Sequence, residues 1–119
     1  MNTRKVGDSR EELAAKWLTE QGYEILERNF RCKFGEIDII ARKSNVIIFV
    51  EVKFRVSRSS GYAEEAVSKE KQRKICSTAD YYRMINGITE QTGFRFDVIA
   101  ITDGKLKHYE NAFFYCGRF

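Results

Sequence analysis

The chain has 119 residues, 43% hydrophobic and 32% charged, which fits one domain with a buried core and leaves no apolar run near the ~18–20 residues of a membrane span. Its net charge of +4 and pI near 9.0 come from 21 basic against 17 acidic residues, an excess that permits an anionic polymer as partner without requiring one. The N-terminal MNTRKVGDSREELAAKW lacks the apolar segment of a secretory signal, and Cys32, Cys76 and Cys116 show no CxxC spacing, so reduced thiols in the cytoplasm are expected.

Proline and internal repeats are absent, so turns rest on Gly, Asn, Ser and Asp. Residues 9 to 21 carry Leu13, Ala14, Trp17, Leu18 and Gln21 at helical spacing, Ser9 and Glu12 have the S-x-x-E form of a capping box, and Gly22 closes the helix. YEILERNFRC (23–32) alternates loosely and reads as an edge strand, separated by Gly35 from the apolar hairpin GEIDIIARKSNVIIFVEVK (35–53). After the Ser/Gly/Arg loop RVSRSSGYA (55–63), a second helix is predicted with Ser68 as N-cap, Glu70 in its first turn, an apolar stripe of Ile75, Cys76, Ala79 and Tyr82, and Gly87 as its stop. FRFDVIAI (94–101) is a β-rich run, TDG (102–104) a tight turn, and KLKHYENAFFYC a last strand or irregular tail. The order helix, three strands, helix, two strands predicts an α+β or α/β sandwich with a mixed sheet flanked by helices.

Four charges interrupt the hairpin: Glu36, Asp38, Glu51 and Lys53. With Ser44-Asn45 as a two-residue turn, position 43 faces 46, and counting outward places Asp38 opposite Glu51 and Glu36 opposite Lys53. Ile37, Ile39 and Ala41 then face Val52, Val50 and Ile48 on the reverse side. Opposed residues have Cβ atoms ~4.5–5.5 Å apart, and like charges so placed cost up to about 1 kcal/mol. The pair Asp38 and Glu51 therefore calls for a cation between them. Mg²⁺ suits the place, because it takes one or two carboxylates together with waters and phosphate oxygens.

The spacing D-x(12)-E-V-K resembles the metal-binding signature of the PD-(D/E)XK, restriction-endonuclease-like nucleases. Together GEIDIIA, FVEVK, Lys71-Gln72, FDVIAI and the terminal NAF look like the bacterial YraN family of endonucleases from end to end, with a hairpin similar to that of archaeal Holliday-junction resolvases. Ile37 stands where the superfamily label has proline. The resemblance implies a restriction-endonuclease-like core that uses Mg²⁺ or Mn²⁺ to cut DNA, with structured or branched DNA as a candidate substrate, and that often acts as a homodimer. It further implies that Asp38, Glu51 and the Val52 carbonyl hold the metal, that Glu12 reaches it from the first helix, and that Lys53 orients or activates the attacking water. Lys71 and Gln72 would lie near the site.

Each of these residues has a plainer use. Glu12 can return to the cap of its own helix, Glu36 can pair with Lys53 across the strands, and Lys69, Lys71, Arg73 and Lys74 can be a solvated helix face instead of phosphate contacts. Arg55 and Arg58 serve equally as nucleic-acid contacts or as parts of a polar linker. His108, the only histidine, reads as structural, and the aromatic residues at 81, 82 and 113–115 read as core or interface before base-stacking surfaces. The rival to a nuclease is a nucleic-acid-binding or scaffolding module that keeps the core and does no chemistry.

Overall fold

The computed structural model describes the backbone of residues 3–55 and 67–116 and the side chains of residues 9–54 and 67–116. Arg58 and most of the loop 55–63 lie outside these residues, as does the side chain of Arg55. The elements are α1 (Thr3–Glu20), β1 (Glu24–Cys32), β2 (Gly35–Lys43), β3 (Val46–Arg55), α2 (Lys69–Ile85), β4 (Gly93–Thr102) and β5 (Lys105–Phe113). The five strands form one sheet in the order β1-β2-β3-β4-β5, with β3 and β4 parallel and the other neighbours antiparallel. This is the expected mixed sheet with two flanking helices, and β1 is an edge strand as its loose alternation suggested. Among the described residues no helix is long and apolar enough to cross a membrane.

The two faces of the sheet carry separate cores. On one, Ala14, Leu18 and Tyr23 pack on Ile39, Ala41, Ile48, Val50, Ile99 and Ile101. On the other, Ile75, Cys76, Ala79 and Tyr82 of α2 cover Ile40, Ile47, Phe49, Phe96 and Val98. Each fully buried Ile, Leu or Phe contributes roughly 1.5–3 kcal/mol to holding these layers together. The stripe on α1 is narrower than expected, since Leu13 is 43% exposed and the alanines take its place.

Both helices end in the same way. Tyr23 N–H donates to the Leu18 carbonyl and Gly22 N–H to that of Thr19, with Gly22 at φ 93°, so a left-handed glycine satisfies the last carbonyls of α1. Ile88 and Gly87 repeat the pattern on Arg83 and Met84 at the end of α2. At its start, the Ser68 side chain accepts the Lys71 amide at 3.1 Å, as the N-cap reading required. The corresponding expectation for α1 fails. The helix begins at Thr3, which leaves Ser9 and Glu12 inside it and not at a cap.

The hairpin register is as counted from Lys43↔Val46 to Ile39↔Val50, and the turn is made by Ser44 at φ 56°. There the β2–β3 ladder stops. β2 continues along β1 to Cys32↔Gly35, β3 continues along β4 to Arg55↔Thr102, and the two strands part at Asp38. Ile37 packs in the α2-side core whereas Ile39 packs in the α1-side core, so β2 changes face across Asp38 instead of keeping Ile37, Ile39 and Ala41 together. Asn29, between the registered residues Arg28 and Phe30 of β1, takes φ 54° beside this change.

A buried ionic network ties the far side of the sheet. Asp97 is fully buried, and its carboxylate accepts Arg95 Nε at 2.9 Å and Nη2 at 3.0 Å, His108 Nε2 at 2.7 Å and the Asn111 amide at 2.9 Å. Trp17 Nε1 donates to His108 Nδ1 at 3.3 Å, so the histidine's own proton sits on Nε2 and points at Asp97. Although burial alone would raise the Asp97 pKa, the hydrogen bonds from His108, Arg95 and Asn111 outweigh it and hold the carboxyl below its ordinary value. Removing one member of such a network leaves a buried charge unpaired. Asp97→Ala is expected to lower stability by about 3–5 kcal/mol in urea denaturation. In the parent the contribution is fully present above the ordinary carboxylate range and lost as pH falls from there to the lowered folded value, because the unfolded chain binds the proton more tightly.

Candidate active site

The point where β2 and β3 separate holds the charged residues of the hairpin. Asp38 Oδ2 accepts the Val52 amide at 2.8 Å. A side chain thus replaces the strand-to-strand bond that would have continued the ladder, and it fixes the carboxylate in the gap. Glu51, on the neighbouring residue of β3, is only 7% exposed. Burial, the charge of Glu51 and, more weakly, that of Glu36 push the Asp38 carboxyl up to about 7, and Glu51 adds a hydrogen bond that Asp38 makes when it keeps its proton. Unlike Asp97, this carboxyl has no arginine or histidine partner among the described residues.

Among the described residues, the cation on the pair comes from α2, where Lys71 Nζ stands 3.5 Å from Glu51 Oε2. The Lys71 side chain is 45% exposed, which leaves it open to a further anion. Lys53 follows Glu51 by two residues and so shares its side of β3, in register with Ala100 of β4. Lys53 therefore does not face Glu36, whose ion pair is with Arg31 of β1 at 3.4 Å.

Other predicted residues stand elsewhere. Glu12 is bound by Arg28 at 2.6 Å and is 69% exposed; Arg28 lies in register with Ile39, so Glu12 sits on the α1 side beside the gap and not against Asp38. Gln72 is buried with its amide on the Val67 carbonyl at 2.9 Å, which gives it a structural task in place of nucleic-acid contact. Lys74 pairs loosely with Glu70 at 3.8 Å and remains exposed. Among the described residues no three His, Cys, Asp or Glu side chains gather at ligand spacing. The half-buried Asp38 and buried Glu51 carboxylates nevertheless match the donors of a hard divalent cation, and the raised Asp38 pKa marks negative charge there as undercompensated.

The Asp97 network was not foreseen. Its only signal was an ionisable residue in the middle of FRFDVIAI, the same signal that singled out Asp38 and Glu51. Its partners span positions 17 to 111, beyond the reach of any local pattern.

The uncompensated pair has a measurable cost. In chelator-treated protein above neutral pH, Asp38→Asn keeps an acceptor for the Val52 amide, removes the repulsion, and is expected to raise stability by about 1 kcal/mol or more. Because the folded state binds the Asp38 proton more tightly than the unfolded one, the repulsion is relieved as pH falls through about 7, and the advantage of the variant should shrink. Denaturation midpoints across that interval test both statements.

Residues 10–101 match the family described as "Uncharacterised protein family UPF0102". A UPF0102 protein of Lachnoclostridium phytofermentans is 46% identical over 95% of this chain and 96% of its own. One from Thermodesulfovibrio yellowstonii is 48% identical over 92% and 96%, and one from Clostridioides difficile 44% identical over 95% and 100%. Among solved structures, "The structure of Pyrococcus Furiosus SfsA in complex with Ca2+" aligns with TM-score 0.40 at 17% identity, covering 92% of this chain and 64% of that one. On the family match and on identity sustained over nearly the whole length of these relatives, the chain belongs to the UPF0102 family.

Proposed function

We propose that the chain is a metal-dependent endonuclease of the restriction-endonuclease-like kind, hydrolysing phosphodiester bonds in DNA, with structured or branched DNA as its preferred substrate. The observation that carries this reading is the pair of half-buried Asp38 and buried Glu51 where two strands part, with the Asp38 carboxyl pushed up to about 7 by burial and by the charge of Glu51. Asp38, Glu51 and the Val52 carbonyl would hold Mg²⁺ or Mn²⁺, which supplies Lewis acidity toward a phosphodiester oxygen. The protein's own part follows from position. Asp38 is fixed by the Val52 amide, so it needs no reorganisation to bind. Lys53, on the Glu51 side of β3, offers an ammonium to the attacking water or the phosphate, and Lys71 and Lys74 extend positive charge along α2 to receive the DNA backbone.

A second reading, a binding module without chemistry, draws support from Glu12, whose carboxylate is engaged by Arg28 and so is withheld from the pair. Cleavage of labelled linear, flapped and four-way-junction DNA with Mg²⁺, Mn²⁺ or chelator separates the two. The nuclease reading expects metal-dependent cuts that fall at least ~10²-fold in Asp38→Asn and in Lys53→Ala. Binding that weakens with salt yet gives no cut with either metal would reject it in favour of the module.

A further inference from the structure

The C-terminal residues after β5 lie on α2 through two contacts one helical turn apart. Tyr115 Oη donates to Asp80 Oδ2 at 2.8 Å, and Cys116 meets Cys76, with the two sulfurs 3.3 Å apart and the Cys116 amide 3.2 Å from Cys76 Sγ. The Tyr115 ring packs on Phe94 and Phe96, which holds the segment against the sheet. Both thiols are free, and Cys32 lies on β1, away from the pair.

We propose that Cys76 and Cys116 are a redox modification site, forming a reversible intrachain disulfide that fastens the C-terminal segment to α2. Cysteine sulfurs already in contact must approach by little more than ~1 Å to reach bonding distance, and Cys116 lies outside regular structure, where the chain can accommodate that shift. The two thiols are not equivalent. Cys76 is fully buried and burial pushes its thiol up to about 12, whereas Cys116 is half-buried and open to a small reagent.

The chemistry follows thiol–disulfide exchange with a small-molecule disulfide such as oxidised glutathione. Cys116 gives up its proton and attacks one sulfur of the reagent, whose S–S bond breaks, releasing the first small thiol. Cys76 then gives up its proton and attacks the Cys116 sulfur, and the second small thiol leaves. Two electrons and two protons pass from the protein to the reagent, which ends as two thiols. The bond closes a loop between positions 40 residues apart that contains β4 and β5, so it restricts the unfolded chain. This inference stands independently of the nuclease reading.

The test uses the full chain with Cys32→Ser to remove the competing thiol. The protein is equilibrated with reduced and oxidised glutathione, and free thiols are alkylated before mass spectrometry and peptide mapping. The expected product is a monomer lighter by two hydrogens, with the Cys76 and Cys116 peptides joined, restored by reductant, and melting about 5–10 °C higher than the reduced form. Adding Cys116→Ser should abolish both the crosslink and the oxidant-dependent shift. A persistent glutathione adduct on Cys116 with Cys76 still alkylated after unfolding, disulfide-linked dimers, or a pair that stays reduced in excess oxidised glutathione would each overturn the proposal.

Discussion

The Asp38 carboxylate on the Val52 amide is the interaction on which the candidate site depends. An antiparallel pair normally keeps its backbone groups for each other. Here the side chain takes one of those groups, and the strands are free to follow different partners, β2 along β1 and β3 along β4. The result is a notch where the β2–β3 ladder ends, with a hydrophobic core on either face of the sheet and half-buried Asp38 beside buried Glu51. A polar site can exist so deep in the fold because the notch sits at the end of a ladder rather than within it.

Among the described residues, half-buried Asp38 and fully buried Asp97 have opposite electrostatic fates. Each accepts a backbone N–H at a strand irregularity, Asp38 from Val52 and Asp97 from Asn111. Asp97 is then surrounded by Arg95 and His108 and stays ionised, whereas Asp38 is surrounded by Glu51 and Glu36 and resists ionisation. One is neutralised from within the protein. The other keeps acidic neighbours, which costs folding stability when it ionises.

Much of this was legible in the residues. Alternation in IDIIA and VIIFV, with a two-residue turn, was enough to set the register from Lys43↔Val46 to Ile39↔Val50, and Ser68 and the two stop glycines marked α2 and the end of α1. Counting failed beyond Ile39 because it assumes that backbone pairs with backbone, and Asp38 breaks that assumption. Hence Glu36 lies with Arg31, and Ile37 crosses to the other core. The capping-box reading of Ser9 and Glu12 failed because a four-residue pattern cannot tell a helix start from a helix interior. Lys71 is the converse case: its run of basic residues did not set it apart, the resemblance carried by Lys71-Gln72 placed it near the site, and the crossover from β3 through α2 brings it to Glu51.

The parting of the strands also sets how the sheet yields. Residues 39 to 42 of β2 are paired on both edges, to β1 and to β3, but among the described residues Lys53 to Arg55 of β3 are registered only with β4. The sheet therefore has an inner edge as well as its two outer ones. Backbone amides along that inner edge can exchange with solvent through small local openings, while those of the central ladder wait for larger ones. A molecule entering the notch could close that edge with its own acceptors, and the candidate site would then become more rigid when filled than the fold around it requires.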